Sequence, residues 1–176
     1  MIREHELYHG AALLKLLSSG ALPIEVRPFS TSGSKSSYLI NGKIGVYIKH
    51  SSIRMSPWAF TFQPAHQEEL VEMEAALKNI FLLLVCERDG VAVLTGSEIR
   101  TVLNMGQRAT QWISVKRGKR QQYQVKGSKG LLAFKVADSD YPKKIIAALT
   151  PPVTTEINGH ARAESIRRSS EGPSVG

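Results

Sequence analysis

The strongest constraint on this chain is the run Ser36-Ser37-Tyr38-Leu39-Ile40-Asn41-Gly42-Lys43-Ile44-Gly45-Val46-Tyr47-Ile48-Lys49-His50. Two apolar stretches flank an Asn-Gly pair. Both turn residues accept positive φ, which a two-residue turn needs if its twist is to match the strands it joins. A β-hairpin is therefore predicted, with Lys49 near the end of its second strand.

The rest of the chain alternates helical and strand signals. Residues 3–18 place Leu7, Ala11, Leu14 and Leu17 on one helical face, followed by Gly20. Ile24 to Phe29 reads as a short strand that Pro28 confines to a sheet edge. Trp58 to Phe62 is a short aromatic strand between Pro57 and Pro64. His66 to Lys78 is predicted as an amphipathic helix. Leu70, Met73 and Leu77 form its buried face, and Glu68, Glu69, Glu72 and Glu74 lie mostly on the wet one. Ile80 to Cys86 is almost wholly apolar, the pattern of a central strand covered on both faces. Arg88-Asp89-Gly90 turns it into a partner strand, Val91 to Leu94. Thr95 and Glu98 have capping-box spacing at the start of a short helix. Trp112 to Val125 reads as a second hairpin around Gly118, Leu131 to Val136 as a further strand, and Asp138 to Leu149 as a last helix. The expectation is an α/β (α+β) fold: a single domain over residues 1–150, with one mixed β-sheet, β-hairpins and flanking helices. Residues 151–176, rich in Pro, Ser, Gly and Thr, are expected to form a disordered or loosely attached C-terminal tail.

Composition narrows the function classes. The longest apolar run, Ile80 to Val85, is far too short to cross a bilayer, so a cytoplasmic protein without a membrane partner is expected. The one cysteine, Cys86, excludes an internal disulfide and a Cys-rich zinc motif, and its place in a strand suggests a buried structural thiol. The net charge is +8. In residues 151–176 Arg162, Arg167 and Arg168 balance Glu156, Glu164 and Glu171, so the excess lies in the domain. A basic domain suits an anionic partner, nucleic acid above all.

The densest charge is Lys116-Arg117-Gly118-Lys119-Arg120, followed by Lys126 and Lys129, with no acid from Val115 to Lys129. On a hairpin tip these cations can lie against phosphates, with Trp112 and Tyr123 available for stacking. Such contacts supply affinity with little base specificity.

The order helix, strand, hairpin ending in lysine, helix, apolar strand resembles the core of the restriction-endonuclease-like (PD-(D/E)xK) superfamily. In that family the first helix often supplies a glutamate. The hairpin supplies an aspartate and a Glu-x-Lys or Asp-x-Lys, and the carboxylates hold Mg²⁺. The resemblance assigns the lysine to Lys49 and the helix acid to Glu6 or Glu4. Ser37, Tyr38 or Leu39 stands at the aspartate position and Tyr47 at the Glu of Glu-x-Lys, so a degenerate active site is implied. The resulting expectation is a nucleic-acid-binding protein, DNA first, with a nuclease-like core and no resident cofactor. In it the basic hairpin holds the phosphate backbone and Lys49 contributes a phosphate contact, and the nuclease-like layout would set Arg54 near the cleft, where it could take a phosphate bidentately. An active nuclease is the alternative. It would use Mg²⁺, Lys49 and Glu6, with missing acids drawn from elsewhere, Glu25 for example. A second alternative is a protein-interaction subunit of a larger assembly.

His5-Glu6-Leu7-Tyr8-His9 matches H-E-x-x-H, which on a helix sets two histidines on one face to share Zn²⁺ with the glutamate as base. Glu25 and His50 are third ligands by residue type. This is the zinc-hydrolase alternative.

Overall fold

The computed structural model describes residues 1–20, 22–29 and 35–153. The expectation for the C-terminal tail falls almost wholly outside the described residues.

The predicted hairpin forms. Strand β2 (Ser37–Ile40) and strand β3 (Ile44–Ser51) pair antiparallel with Ile40 opposite Ile44. Asn41 and Gly42 take φ of 50° and 65°. The Asn41 side chain also reaches outside the turn. Its Oδ1 accepts from the Glu25 backbone N–H at 2.6 Å, and its Nδ2 donates to the Pro23 carbonyl at 3.1 Å. The turn thus anchors the entry to β1 (Val26–Pro28), which pairs with β2 as the sheet edge that Pro28 implied.

On its other side β3 runs parallel to β5 (Asn79–Cys86), with Ile44 opposite Asn79 and Ser51 opposite Cys86. A tight turn then brings β6 (Gly90–Thr95) back antiparallel. The five-stranded sheet has the order β1-β2-β3-β5-β6. Both faces of its centre are covered. Helix α1 (Glu4–Leu17) and helix α4 (Asp140–Leu149) bury Val46, Ile48, Leu83 and Val93 together with their own Leu16 and Ile145. The opposite face presents Tyr47, Leu82, Leu84 and Leu94 to a second layer. Each fully buried leucine of β5 contributes on the order of 2 kcal/mol.

That second layer departs from the expectation of one sheet flanked by helices. Strand β4 (Trp58–Phe62) pairs with β7 (Gln111–Lys116), and β7 with β8 (Gln124–Gly127), as a separate antiparallel sheet. β3 already has β2 and β5 on its two sides, so the strand that follows it cannot pair with it and pairs with β7 instead. Trp58, Phe60 and Phe62 alternate inward and pack on the face of β3, β5 and β6. Helix α2 (Pro64–Ala76) and short helix α3 (Gly96–Val102) complete this layer through Leu70, Met73, Ile99 and Val102. A buried glutamine pair ties it together. Gln111 donates to Gln67 Oε1 at 2.6 Å, and Gln67 donates to the Phe62 and Ala109 carbonyls at 2.9 and 2.7 Å.

The capping box at Thr95 and Glu98 closes as expected, and Cys86 is buried. Helix α2 starts at Pro64, earlier than its polar pattern suggested, because proline suits the first helical turn. The expected strand over Leu131–Val136 is reduced to two bridges, Lys126 with Leu131 and Tyr123 with Val136. The later segment has more residues between the bridges than β8 does, so a continuous ladder cannot form. No helix among the described residues is long and apolar enough to cross a membrane.

Gly127 sets how closely β8 can approach α3. A Cβ there would sit 2.2 Å from the Val102 carbonyl oxygen, a backbone atom with no freedom to rotate away. Gly127→Ala is expected to cost about 1–3 kcal/mol in chemical denaturation. Gly10→Ala, on helix α1 with nothing within 4 Å of the added carbon, is expected to stabilise by about 0.5–1 kcal/mol.

Candidate functional site

Lys49 points to the α2 side of the five-stranded sheet, because side chains alternate along β3. Tyr47 shares this face, whereas Ile48 and His50 face α1. The ammonium is half-buried. It donates to His66 Nδ1 at 3.1 Å and lies 5.4 Å from the centre of the Phe62 ring. His66 Nδ1 also accepts the Gln63 backbone N–H at 3.1 Å, so the ring carries its proton on Nε2. Loss of hydration brings the Lys49 pKa down to about 8, against the opposing pull of the Glu69 carboxylate. Burial and the nearby Lys49 charge hold His66 below the usual histidine range.

Glu69 is the residue that sequence reasoning misplaces. The helical pattern puts it on the wet side of α2, yet it is 9% exposed and accepts a short hydrogen bond from Ser37 Oγ. The buried Tyr47 hydroxyl faces the same carboxylate without a well-formed hydrogen bond to it, and its pKa is pushed up by burial and by that charge. Ser37 and Tyr47 are directly opposite each other on β2 and β3. A glutamate from α2 thus reaches the serine and the tyrosine of one cross-strand pair on the hairpin. A signal existed in the sequence. His66, Glu69, Leu70, Met73 and Leu77 follow the i, i+3, i+4, i+7, i+11 stripe of a buried helical face, with its first two positions polar. The cleft beside this cluster has a volume of about 410 Å³ and is lined by Lys35, Ser36, Glu68 and Glu72 as well.

Glu6 does not join Lys49. It lies on α1, across the sheet, where its carboxylate accepts the Arg3 backbone N–H at 2.6 Å and caps the helix. Glu25 is paired with Arg27 beside the edge strand β1. The H-E-x-x-H histidines are one turn apart, with ring centres 5.8 Å from each other, and His50 comes within 6.0 Å of His9. His9 is committed, however. Its Nδ1 lies 3.1 Å from the Lys35 carbonyl, to which it donates, and 3.0 Å from the Tyr38 hydroxyl. His50 stacks on Tyr8. Among the described residues no group of three or more His, Cys, Asp or Glu side chains is arranged to hold a metal ion. Glu69, a lone buried carboxylate already bonded to Ser37, does not by itself make a donor set that fits Mg²⁺.

The basic residues form a second site. Arg54 joins Lys116, Lys119 and Arg120 around an open cleft of about 740 Å³. Arg117 also lines it but is a strut. Its guanidinium pairs with Asp89 at 2.6 Å, approaches Asp138 at 4.0 Å and stacks 4.4 Å over Tyr123. Tyr123 is buried and gives its hydroxyl proton to Asp89 at 3.0 Å, so it is not the stacking surface the sequence suggested. Lys126 is exposed on β8, and Lys129 donates to the Arg100 carbonyl at 2.6 Å. Trp58 belongs to this cleft and Phe62 to the Lys49 cluster, so the two sites sit at opposite ends of β4, about 13 Å apart at the strand's rise.

Comparison of the chain with protein-family models, curated proteins and solved structures gives no match.

Two pH responses follow from these environments. The folded-state pKa of Lys49 is below its ordinary 10.5, so between about 8 and 10.5 the unfolded chain binds the extra proton. Folding stability contributed by this group rises with pH across that window. Urea titrations of the parent and Lys49→Met are expected to differ in this slope, with the rise missing from the variant. Burial holds His9 down to about 4 against an ordinary 6.5, so the unfolded chain takes the proton first as pH falls. Stability is lost from 6.5 toward 4, and His9→Asn, which retains a donor for the Lys35 carbonyl, is expected to show a shallower acid limb.

Proposed function

We propose that the protein binds nucleic acid through the cleft formed by Arg54 and the β7–β8 hairpin, on a nuclease-like core whose catalytic position is degenerate. The observation that carries this reading is the convergence of Arg54, Lys116, Lys119 and Arg120 on one cleft in which the acid, Asp89, is already neutralised by Arg117. Residues distant in sequence thus build a concave surface of one sign, which focuses its field on a polyanion. The order of elements supports the nuclease-like part of the reading: α1, β1, the β2–β3 hairpin with Lys49 near its end, and, after β4, α2 and β5. The lysine cluster supports the degenerate part, since a single buried carboxylate faces Lys49 there. Lys49 carries a positive charge at neutral pH and is suited to a phosphate contact once its bond to His66 is exchanged.

Salt dependence tests the reading. Each phosphate neutralised on B-DNA contributes about −0.9 to the slope of log K against log salt. Replacing Arg54, Lys116, Lys119 and Arg120 together by alanine is expected to flatten that slope for a duplex by about 3 to 4. Binding that ignores salt, or that the fourfold variant leaves intact, would overturn the proposal and favour a protein-interaction module. Incubation with Mg²⁺ is expected to give no strand cleavage, and cleavage abolished by Lys49→Ala would reinstate an active nuclease.

A further inference from the structure

The outer face of the three-stranded sheet is the second unusual surface. Alternation along β4, β7 and β8 sends Phe60, Ile113, Val115 and Val125 into the core and turns Ala59, Thr61, Trp112, Ser114, Lys116 and Lys126 outward. Trp112 is 44% exposed, although its strand neighbours Gln111 and Ile113 are buried. It stands beside small side chains. Thr61 is its partner on β4, and Ser114, two residues along, pairs with Ala59 on one side and Lys126 on the other. The row continues to Leu131, 49% exposed and bridged to Lys126, while Phe134, 86% exposed, lies in the bulge between the two bridges. An indole thus rises from a low floor, with Leu131, Lys116 and Lys126 on the same face.

Charge complementarity identifies what this face suits. From Ile99 to Ala137 the chain carries nine Lys and Arg and no Asp or Glu. The outward residues of β4 are uncharged. Lys116 belongs to both surfaces: it projects from the outer face of β7 and lines the basic cleft. A polyanion held in the cleft is therefore led onto the face that displays Trp112. A rigid duplex keeps its bases stacked on one another and offers nothing to an indole on a flat sheet. An unpaired strand offers both phosphates and free base faces.

We infer that the outer face of the β4–β7–β8 sheet binds single-stranded DNA, with a base stacked on Trp112 and the flanking phosphates held by Lys116 and Lys126. The inference rests on the nucleic-acid reading of the adjoining cleft and extends it to a single strand. The apolar Ala59 and Leu131 on this face favour thymine, whose methyl group adds contact area. Sequence preference is otherwise weak, because every base has a face to stack.

The chain has two tryptophans, and Trp58 lines the basic cleft, so the quenching that the parent shows and Trp112→Phe lacks is the part that reports on Trp112. Full-length protein titrated with a twelve-residue oligo-dT is expected to lose indole emission. Trp112→Ala is expected to bind the oligonucleotide ~5- to 100-fold more weakly, with Trp112→Phe restoring most of the affinity. Circular dichroism of Trp112→Ala should match the parent, since the side chain lies outside the core. Affinity for a duplex of equal length is expected to change less than about twofold in the same variant, because the cleft is untouched. Equal single-strand affinity in parent and Trp112→Ala, with duplex binding intact, would overturn the platform and leave the cleft standing. Tighter quenching by oligo-rU than by oligo-dT would overturn the choice of DNA. Absence of binding to any polynucleotide would remove both cleft and platform and leave the face as a seat for a protein partner.

Discussion

Everything in this molecule is arranged around the parallel pairing of β3 with β5. The two strands lie side by side over their full length, with Val46 and Ile48 on one face and Tyr47, Leu82 and Leu84 on the other. Parallel neighbours cannot be joined by a tight turn; the chain must leave the sheet and return to its starting end. Here that excursion contains β4 and α2. Because the crossover has to lie against one face of the sheet, it is pressed onto the side that carries Tyr47 and Lys49. The helix that closes the crossover therefore delivers His66 and Glu69 to the lysine, and the strand within it founds the second sheet. Both candidate sites follow from one topological requirement.

Local chemistry makes much of this legible without coordinates. Asn41-Gly42 specifies its turn, the apolar run to Cys86 specifies a covered strand, and Thr95 with Glu98 specifies a helix start, because each signal is complete within a few residues. The second sheet is not legible. Whether β4 joins the first sheet depends on which strand already occupies the edge of β3, and that strand lies beyond the following helix. Glu69 escapes in a similar way. A glutamate on an amphipathic helix is ordinarily solvated, and its reason for being buried, Ser37, is on another element. The stripe that holds His66 and Glu69 is readable, but only by asking why two polar residues continue an apolar face.

The basic run shows the same division between composition and placement. Its cations are equivalent as a sequence, yet Arg117 is fastened to Asp89 and Asp138, which come from the β5–β6 turn and the entry to α4. This strut lets the strands carry so much like charge. One guanidinium with low exposure is neutralised by two acids and a ring face, and the remaining cations stand in solvent, where salt screens their repulsion. Lys116, one residue earlier, points the other way because strand side chains alternate. A single strand end thus divides its charges between holding the fold and reaching solvent.

The charge balance of the lysine cluster follows from the same packing. A divalent cation is held by a shell of oxygen donors, commonly with one or two carboxylates among them. With Ser37 and Tyr47 on the hairpin, the buried negative charge facing Lys49 reduces to that of Glu69. Lys49 balances it at neutral pH, so the cluster is close to neutral with nothing bound. A buried carboxylate left without its cation is costly, so Glu69 and Lys49 constrain each other: removing one strands the other in a poorly hydrated place. The cations that reach solvent lie elsewhere, about 13 Å along β4, in the cleft where Arg54 meets the hairpin.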